Sequence, residues 1–212
     1  MERPILTALI LPAVVAPTPD APVPFGLNDL ERILAAPGVL NAQRYRLDKR
    51  QRFPGPYPHH FTICEVDGVQ GALAWRQHRA SSPDAYRDSS VGVFESMRPR
   101  FGAPPSAART HMLIAMTTPK AGRDDDYNRW YWERHFPDGM RLPGMTSGER
   151  FKLRPNLSDA AFPHGYMALY DMYTQDLPHH YAVLNKISRT PEMPLTDALG
   201  ELFAAWYVVP QR

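Results

Sequence analysis

The chain carries an internal repeat, and a repeat of this length constrains the fold more tightly than composition does. Moving residues 37–47 by 106 positions places them on residues 143–153, with Pro-Gly, Arg and Leu identical and three further positions similar. The same shift places residues 60–65 on 166–171 and residues 6–10 on 112–116, and all of these blocks have the character of β-strands. We therefore predict two copies of one unit, residues 1–104 and residues 105–212, with all three blocks in constant register.

Each copy has the pattern of strand, helix, two strands, helix and strand. A period-2 pattern after Pro-Gly predicts a strand in each copy, because Tyr45 and Leu47 alternate with arginines in the first copy and Phe151 and Leu153 alternate with basic residues in the second. The other predicted strands are 6–10, 61–66, 91–97, 112–116, 166–172 and 202–209, and the second helices are 69–78 and 178–187. This order is the α+β, ferredoxin-like βαββαβ motif. Two such units can pack their antiparallel sheets as a pseudo-dimeric α+β barrel.

Composition excludes several functional classes. The net charge is +2 and the basic residues are scattered, so no nucleic-acid partner is expected. No apolar run reaches the roughly 20 residues of a membrane span, so no membrane partner is expected. The single Cys64 excludes an intramolecular disulfide and favours a cytoplasmic location. The apolar segment 5–16 is interpreted as a buried first strand, not an export signal, and Cys64 as an inert thiol in a strand.

The two copies differ in their first helix. Residues 17–26 contain four prolines and cannot form a regular helix, which leaves only residues 27–35 helical in the first copy. The second copy has a continuous helical segment from Asp124, which Pro137 is expected to end just after His135. Three adjacent aspartates cannot converge on one ion from a helix start, so Asp124 to Asp126 are predicted to cap the helix rather than bind a metal.

A polar stripe follows the aspartates. Asn128, Tyr131 and His135 recur at i, i+3 and i+7, so they share one face of an α-helix. His135 is a candidate general acid or base, Tyr131 a hydrogen-bond donor to developing negative charge, and Asn128 an orienting group. The aromatic side chains expected to stack on a substrate are Tyr127, Trp130 and Tyr170. The alternative is a hydrogen-bonded polar patch or a subunit interface.

The remaining polar residues receive structural interpretations. Arg150 and Asp171 are predicted to pair near the pocket, and Arg44 and Glu65 occupy the same places in the first copy. The histidines expected on the surface or in loops are His59, His60, His179 and His180, and those at strand starts that could reach the pocket rim are His111 and His164. No phosphate-binding loop, His-Glu-x-x-His or Cys-x-x-Cys motif occurs, which argues against nucleotide and zinc enzymes.

The segment from Asp124 to Gly144 reads Asp-x-x-Tyr-Asn-x-Trp-Tyr-x-x-x-His-x-Pro and then Leu-Pro-Gly. It resembles the EthD-like branch of the dimeric α+β barrel superfamily, over about residues 111–172. The resemblance implies a barrel of two ferredoxin-like units and a pocket between sheet and helices, lined by Asn128, Tyr131 and His135. Relatives include cofactor-free monooxygenases, isomerases, decarboxylases, dehydratases and haem-degrading enzymes, so the fold does not choose a reaction.

These observations predict a small-molecule enzyme that uses acid/base chemistry without a metal or organic cofactor. Its expected substrate is an aromatic or carbonyl-containing metabolite, and Arg150 is included among the substrate-binding residues. The expected reaction is that of a lyase, isomerase, decarboxylase or oxygenase. One alternative is a haem-dependent enzyme in which His135 ligates iron, and another is a non-catalytic binding or assembly protein. A homodimer is also plausible, because relatives associate readily.

Overall fold

The computed structural model describes residues 5–12, 30–50, 58–86, 89–102, 109–160 and 162–209. The strands are β1 (Ile5–Pro12), β2 (Val39–Leu47), β3 (His60–Asp67), β4 (Ser89–Ser96), β5 (Phe101–Gly102), β6 (His111–Pro119), β7 (Met145–Leu153), β8 (Tyr166–Met172) and β9 (Leu199–Val208). The helices are α1 (Leu30–Leu34), α2 (Gly68–Ser81), α3 (Pro83–Tyr86), α4 (Asp124–Trp130), α5 (Phe136–Met140) and α6 (Leu177–Ile187), and a π-helical turn (Tyr131–His135) joins α4 to α5.

The described strands form one closed barrel from two equivalent sheets. The first unit has the order β4-β1-β3-β2 and the second has the order β9-β6-β8-β7, which is the same ferredoxin-like arrangement. Antiparallel pairing of β2 with β9 and of β4 with β7 joins the two sheets at both edges. The short β5 pairs with β7. The predicted α+β architecture of two ferredoxin-like repeats in a pseudo-dimeric barrel is confirmed.

The repeat keeps its register in the middle strands. In both units the second strand has a bulge two residues after the Pro-Gly turn, between Val39 and Asn41 and between Met145 and Ser147. The glycines of these turns have φ of 83° at Gly38 and 86° at Gly144, which is the left-handed region that glycine tolerates best. Two copies of one bulge and one turn show that the units share more than strand order.

The first strands depart from the predicted shift by one residue. Thr7 lies opposite Glu65, and Met112 lies opposite Asp171, the counterpart of Glu65. Thr7 therefore corresponds to Met112, a shift of 105 instead of 106. The prediction of constant register was wrong here. The difference matters because a slip of one residue in a strand exchanges the side chains that face the two sides of the sheet.

Buried apolar side chains fall into three layers. The barrel interior is filled from both units, with Phe61 packed edge-on to Tyr207 at 4.4 Å between ring centroids. A second layer lies between the first sheet and its helices and includes Trp75 and Cys64, whose thiol pKa burial raises to about 12. The third layer lies between the second sheet and its helices and is rich in tyrosine, with Tyr127 and Tyr131 fully buried.

The N-terminal strand is confirmed from Ile5 to Pro12, and its interior residue Leu9 is fully buried. The rest of the predicted first strand and the proline-rich segment 17–26 lie outside the described residues. The helix predicted for residues 27–35 is described only as α1, a single turn. None of the helices in the described ranges has the length and apolar character needed to cross a bilayer.

Candidate functional site

The helical segment of the second unit changes hydrogen-bond register in its middle. The backbone N–H of Phe136 donates to the carbonyl of Tyr131, five residues earlier, which defines the π-helical turn. The helix then continues to Met140, so the expectation that Pro137 ends it was wrong. A proline near the start of a helical turn is tolerated because the N–H it lacks has no intrahelical partner there.

The π-helical turn divides the predicted polar stripe. Residues five apart share a face in a π-helix, so the His135 ring stacks on Trp130, with 4.6 Å between centroids. Asn128 lies elsewhere, and its Nδ2 donates to the Asp124 carbonyl at 2.8 Å and to the Tyr166 hydroxyl at 3.0 Å. Asn128 and His135 are therefore not brought together, because the stripe was derived from the α-helical period alone.

The aspartate run occupies the first turn of α4 without capping it. Arg123 is the N-cap residue, and no side chain makes a capping hydrogen bond. The Asp124 carboxylate instead accepts from the Tyr166 hydroxyl at 2.7 Å, and Asp126 pairs with Arg123 at 2.8 Å. The predicted side-chain cap was wrong, although three carboxylates still favour the positive end of the helix dipole. The described residues include no group of three potential metal ligands.

A cavity of about 410 Å³ lies between the second sheet and its helices. We call it the helix-side cavity. Its lining is mostly aliphatic and aromatic, with a few polar groups among them. The lining residues are Leu113, Ala115, His135, Gly139, Leu142, Met145, Tyr170, Leu184, Asn185, Ser188, Arg189, Met193, Leu195, Leu202, Ala204 and Trp206. An apolar pocket with few polar groups is typical of a site for a small organic molecule.

His135 is the histidine that lines this cavity. Its Nδ1 is buried and has no hydrogen-bond partner, while part of the ring remains accessible at the cavity wall. Burial lowers the pKa of His135 to about 4, and the nearby charge of Arg150 lowers it further, whereas Asp138 opposes the shift. The imidazole is therefore neutral at physiological pH, which is the form that can accept a proton.

Two tyrosines form a buried pair beside His135. The hydroxyls of Tyr131 and Tyr170 lie 3.0 Å apart, and burial raises the pKa of both phenols. The Tyr131 ring lies 5.0 Å from the His135 ring, centroid to centroid. When Tyr131 donates to Tyr170, the Tyr170 proton is available to a ligand, since Tyr170 lines the cavity. The pair can thus supply one hydrogen-bond donor next to the neutral imidazole.

Arg150 lies in an aromatic cage behind this pair. Its guanidinium carbon is 3.9 Å from the ring centroid of Tyr131 and 5.0 Å from those of Tyr127 and Tyr166. The side chain is 1% exposed, and its guanidinium nitrogens have no acceptor in hydrogen-bonding geometry among the described residues. Arg150 does not line the helix-side cavity, so its effect on the site is electrostatic.

The predicted pair between Arg150 and Asp171 was wrong. Asp171 faces the barrel interior, while Arg150 faces the helices, because successive residues of a strand point to opposite faces. The Asp171 carboxylate accepts from Arg100, Arg109 and Ser147. Asp171, Arg100 and Arg109 border a second cavity of about 270 Å³ at one end of the barrel. We call it the barrel-end cavity.

The other predicted site residues have structural partners. Tyr127 is fully buried and shares a short hydrogen bond with Thr117. Trp130 donates from Nε1 to the Pro194 carbonyl at 2.9 Å. Of the seven predicted residues, His135 and Tyr170 line the helix-side cavity, Tyr131 contacts both of them, and Trp130 stacks on His135. A catalytic role for any of them stays a prediction.

One of the remaining histidines differs from expectation, and the two that could have reached the pocket rim do not reach it. His180 was expected on the surface but is fully buried, with Nδ1 bonded to the Pro143 carbonyl, because its helix packs this face against Trp206. His111 does not reach the cavity rim, since it is buried against Asp48 at 2.9 Å. His164 bonds Thr118 and lines neither cavity.

Part of the cavity wall comes from the end of α6 and the connection that follows it, and the sequence did not indicate this. Asn185, Ser188 and Arg189 line the cavity with Trp206 of β9. Arg189 has φ of 64°, the left-handed region. No sequence signal distinguishes these residues from ordinary polar residues at the end of a helix. Their role depends on the position of the loop over the sheet.

Comparisons with known proteins agree with this architecture. No family model matches the chain, and no curated protein matches it by sequence. An anthrone oxidase-like protein superposes with a TM-score of 0.62 at 9% identity, covering 99% of this chain and 92% of the other. A candidate monooxygenase from Fusobacterium nucleatum superposes at 0.52, with 12% identity and coverage of 99% and 94%.

Chlorite dismutase from Candidatus Nitrospira defluvii, in complex with imidazole, superposes at 0.57, with 9% identity and coverage of 99% and 92%. Identities this low establish the fold and not the reaction. The chain therefore has the fold of the dimeric α+β barrel proteins, with two ferredoxin-like units closing one barrel within a single polypeptide.

Proposed function

We propose that the helix-side cavity is the active site of a small-molecule enzyme that removes a proton from a carbon atom whose resulting negative charge is delocalised onto a carbonyl oxygen. The observation that carries this proposal is the neutral His135, whose ring forms part of the wall of an apolar cavity that Tyr170 also lines. Enolisation requires a base and a hydrogen-bond donor, and His135 and Tyr170 can provide them on the wall of one cavity.

Removal of the proton requires only His135 as the base and Tyr170 as the hydrogen-bond donor. The substrate C–H bond breaks, its proton passes to a ring nitrogen of His135, and its electron pair moves to the carbonyl oxygen. The Tyr170 hydroxyl donates a hydrogen bond to the oxygen as negative charge develops there, with Tyr131 donating to Tyr170 in turn. A base with a pKa of about 4 is weak, so the substrate must be an unusually acidic carbon acid.

A ring ketone of the anthrone type fits these requirements. Its methylene is flanked by two aromatic rings, which makes its protons acidic, and its flat apolar body suits an apolar cavity of about 410 Å³. Dioxygen as co-substrate would oxidise the resulting enolate, which favours the oxygenase among the predicted reactions. The names of the anthrone oxidase-like and candidate monooxygenase neighbours and the EthD-like motif from Asp124 to Gly144 support this choice.

Haem fits the same residues poorly. A histidine that ligates iron usually donates its other ring N–H to an acceptor that orients the ring. Nδ1 of His135 has no such acceptor, and its burial also prevents it from serving as the ligand itself. The predicted haem-dependent alternative is therefore less well supported than chemistry carried out by the protein's own side chains, even though chlorite dismutase shares the fold.

Deuterium exchange tests the proposal before any oxidation occurs. Under anaerobic conditions in D₂O, we expect the protein to accelerate exchange of the methylene protons of anthrone, measured by NMR. His135→Ala should reduce the acceleration by about 100-fold or more, and Tyr170→Phe by a smaller factor. His179→Ala is the matched control, because His179 is exposed on α6 and lines neither cavity.

Admitting air should then start oxygen consumption that depends on the same side chains. Exchange at the uncatalysed rate, or equal acceleration by wild type and His135→Ala, would contradict the proposed function. Binding of anthrone without exchange would favour the non-catalytic ligand-binding alternative. A Soret band on haem titration that disappears in His135→Ala would instead support the haem alternative.

A further inference from the structure

We propose that the helix-side cavity is selective for ligands that carry an anionic group, and that Arg189 is the residue that binds this group. The inference rests on the proposed function and adds the charge class of the substrate. It is carried by the distribution of charge around the cavity, by the backbone conformation of Arg189 and by the way its loop is attached.

The cavity has a positive charge and no negative one. Among its described lining residues there is no aspartate or glutamate, His135 is neutral, and Arg189 is the single cation. The Arg189 side chain makes no ion pair or hydrogen bond with the residues that the structure describes, and it is exposed beside Asn185. An unpaired guanidinium next to an apolar cavity is suited to a carboxylate or phenolate, which it can bind through two parallel hydrogen bonds.

The backbone holds Arg189 in a conformation that it does not favour. With φ of 64° it is the one non-glycine residue with positive φ in the described part of the chain. Its N–H donates to the Met193 carbonyl at 3.0 Å, and a bridge between Ser188 and Met193 closes the same loop. Left-handed non-glycine residues are costly and concentrate at functional sites, so an arginine here calls for a role that glycine or asparagine could not fill.

The loop that carries Arg189 is attached to the helix that carries His135. Trp130 donates from Nε1 to the Pro194 carbonyl at 2.9 Å, and Arg134 donates to the Pro191 carbonyl at 3.1 Å. Trp130 also stacks on His135. Arg189 and His135 are thus held by connected segments of the chain, so a ligand whose reacting carbon lies at His135 has its distance to Arg189 defined as well.

Two probes that differ only in charge test the inference. We expect wild-type protein to bind anthraquinone-2-carboxylate about tenfold more tightly than anthraquinone-2-carboxamide, the difference expected for a charge-assisted hydrogen bond. Binding is measured by calorimetry at low ionic strength and repeated in 0.5 M NaCl, where the preference should shrink. Arg189→Asn should remove the preference, because carboxylate binding falls more than carboxamide binding, and Arg189→Lys should retain part of it.

The variants also separate binding from structure. Asparagine tolerates the left-handed region better than arginine, so thermal unfolding of Arg189→Asn should be unchanged or shifted upward. Equal affinities for both probes in wild type would overturn the inference and leave the proposed function intact. Failure of both probes to bind wild type would instead count against the proposed function. Loss of both probes in Arg189→Asn, with a lower unfolding temperature, would indicate a structural role and overturn the inference.

Discussion

His135 owes its chemical character to its surroundings. An exposed imidazole would titrate near neutral pH, but burial beside Trp130 and Tyr131 disfavours the imidazolium, and the Arg150 charge disfavours it further. Arg150 itself is stabilised by aromatic faces in place of a carboxylate. The same guanidinium charge lowers the pKa of the surrounding phenols, which burial raises. The Arg150 charge thus favours a neutral imidazole at His135 and partly offsets the increase in tyrosine pKa that burial causes.

The pH dependence of turnover follows from the lowered pKa of His135. Only the neutral imidazole accepts a proton, so we expect the exchange rate with anthrone to be constant from about pH 5 to 8 and to fall as the pH drops through about 4. A histidine with an ordinary pKa would instead lose half of its activity near pH 6.5. An acid limb between pH 6 and 7 would show that the imidazole is not desolvated as the structure indicates.

The sequence contains a signal for the Pro-Gly turn but none for the π-helical turn. Pro-Gly recurs in both copies before alternating residues, so the second strands of both units were predicted to begin where they do. The π-helical turn left no such signal, because an aromatic-rich helix satisfies an α-helical period equally well. Asn128 was therefore assigned to a face that it does not share with His135.

Strand faces were predictable only where the register was correct. The alternation around Phe151 is confirmed, because Phe151 faces the barrel interior while Arg150 faces the helices. Asp171 lies on the interior face of its own strand, so closeness in a predicted sheet did not imply contact with Arg150. The cavity wall from α6 to β9 could not be predicted, since it depends on how a loop crosses the sheet.

Glycine substitutions test the shared turn. Gly144→Ala should destabilise the protein strongly, because a Cβ there would lie 2.6 Å from the Tyr173 carbonyl oxygen, in addition to the cost of positive φ. Gly122→Ala is the matched control, since φ is 74° and a Cβ would meet nothing within 4 Å. We expect a loss of about 1 kcal/mol for Gly122→Ala. Gly144→Ala should lose about 1–3 kcal/mol more, because the backbone must shift.

Chemical denaturation measures both values. Equal losses of unfolding free energy for the two variants would mean that the backbone relieves the contact between the added Cβ and the Tyr173 carbonyl without cost. The turn would then not restrain the strand that follows. Gly38, whose Cβ would lie 2.3 Å from the Gly71 carbonyl oxygen, provides the corresponding test in the first unit and should behave like Gly144.

In the whole molecule, the two units depend on one core. The seams between the sheets are short, with two residue pairs between β2 and β9 and three between β4 and β7. The barrel interior, by contrast, is filled by both units, with Phe61 of the first packed against Tyr207 of the second. Each unit taken alone would expose this face to water, so their stabilities should be inseparable.

Unfolding of the two units should therefore coincide. Cys64 is the single cysteine and is buried in the first unit, whereas three of the four tryptophans, Trp130, Trp132 and Trp206, report on the second. We expect thiol labelling and tryptophan fluorescence to give the same denaturation midpoint. Phe61→Ala should lower the free energy of unfolding by about 3–5 kcal/mol and shift both reporters equally.

Exposed Leu34 provides the control, since its replacement by alanine should cost less than about 0.5 kcal/mol. Separate midpoints for the two reporters would show that the units are independent domains that happen to share a seam.

We propose that the ligand site lies in the second unit, on the helix side of its sheet. A crystal structure of the protein with anthraquinone-2-carboxylate tests it directly. We expect density for one molecule between Leu113 and Trp206, with one ring carbonyl at Tyr170, its central ring beside His135 and its carboxylate at Arg189. Density in the barrel-end cavity beside Arg109, with the helix-side cavity empty, would contradict it.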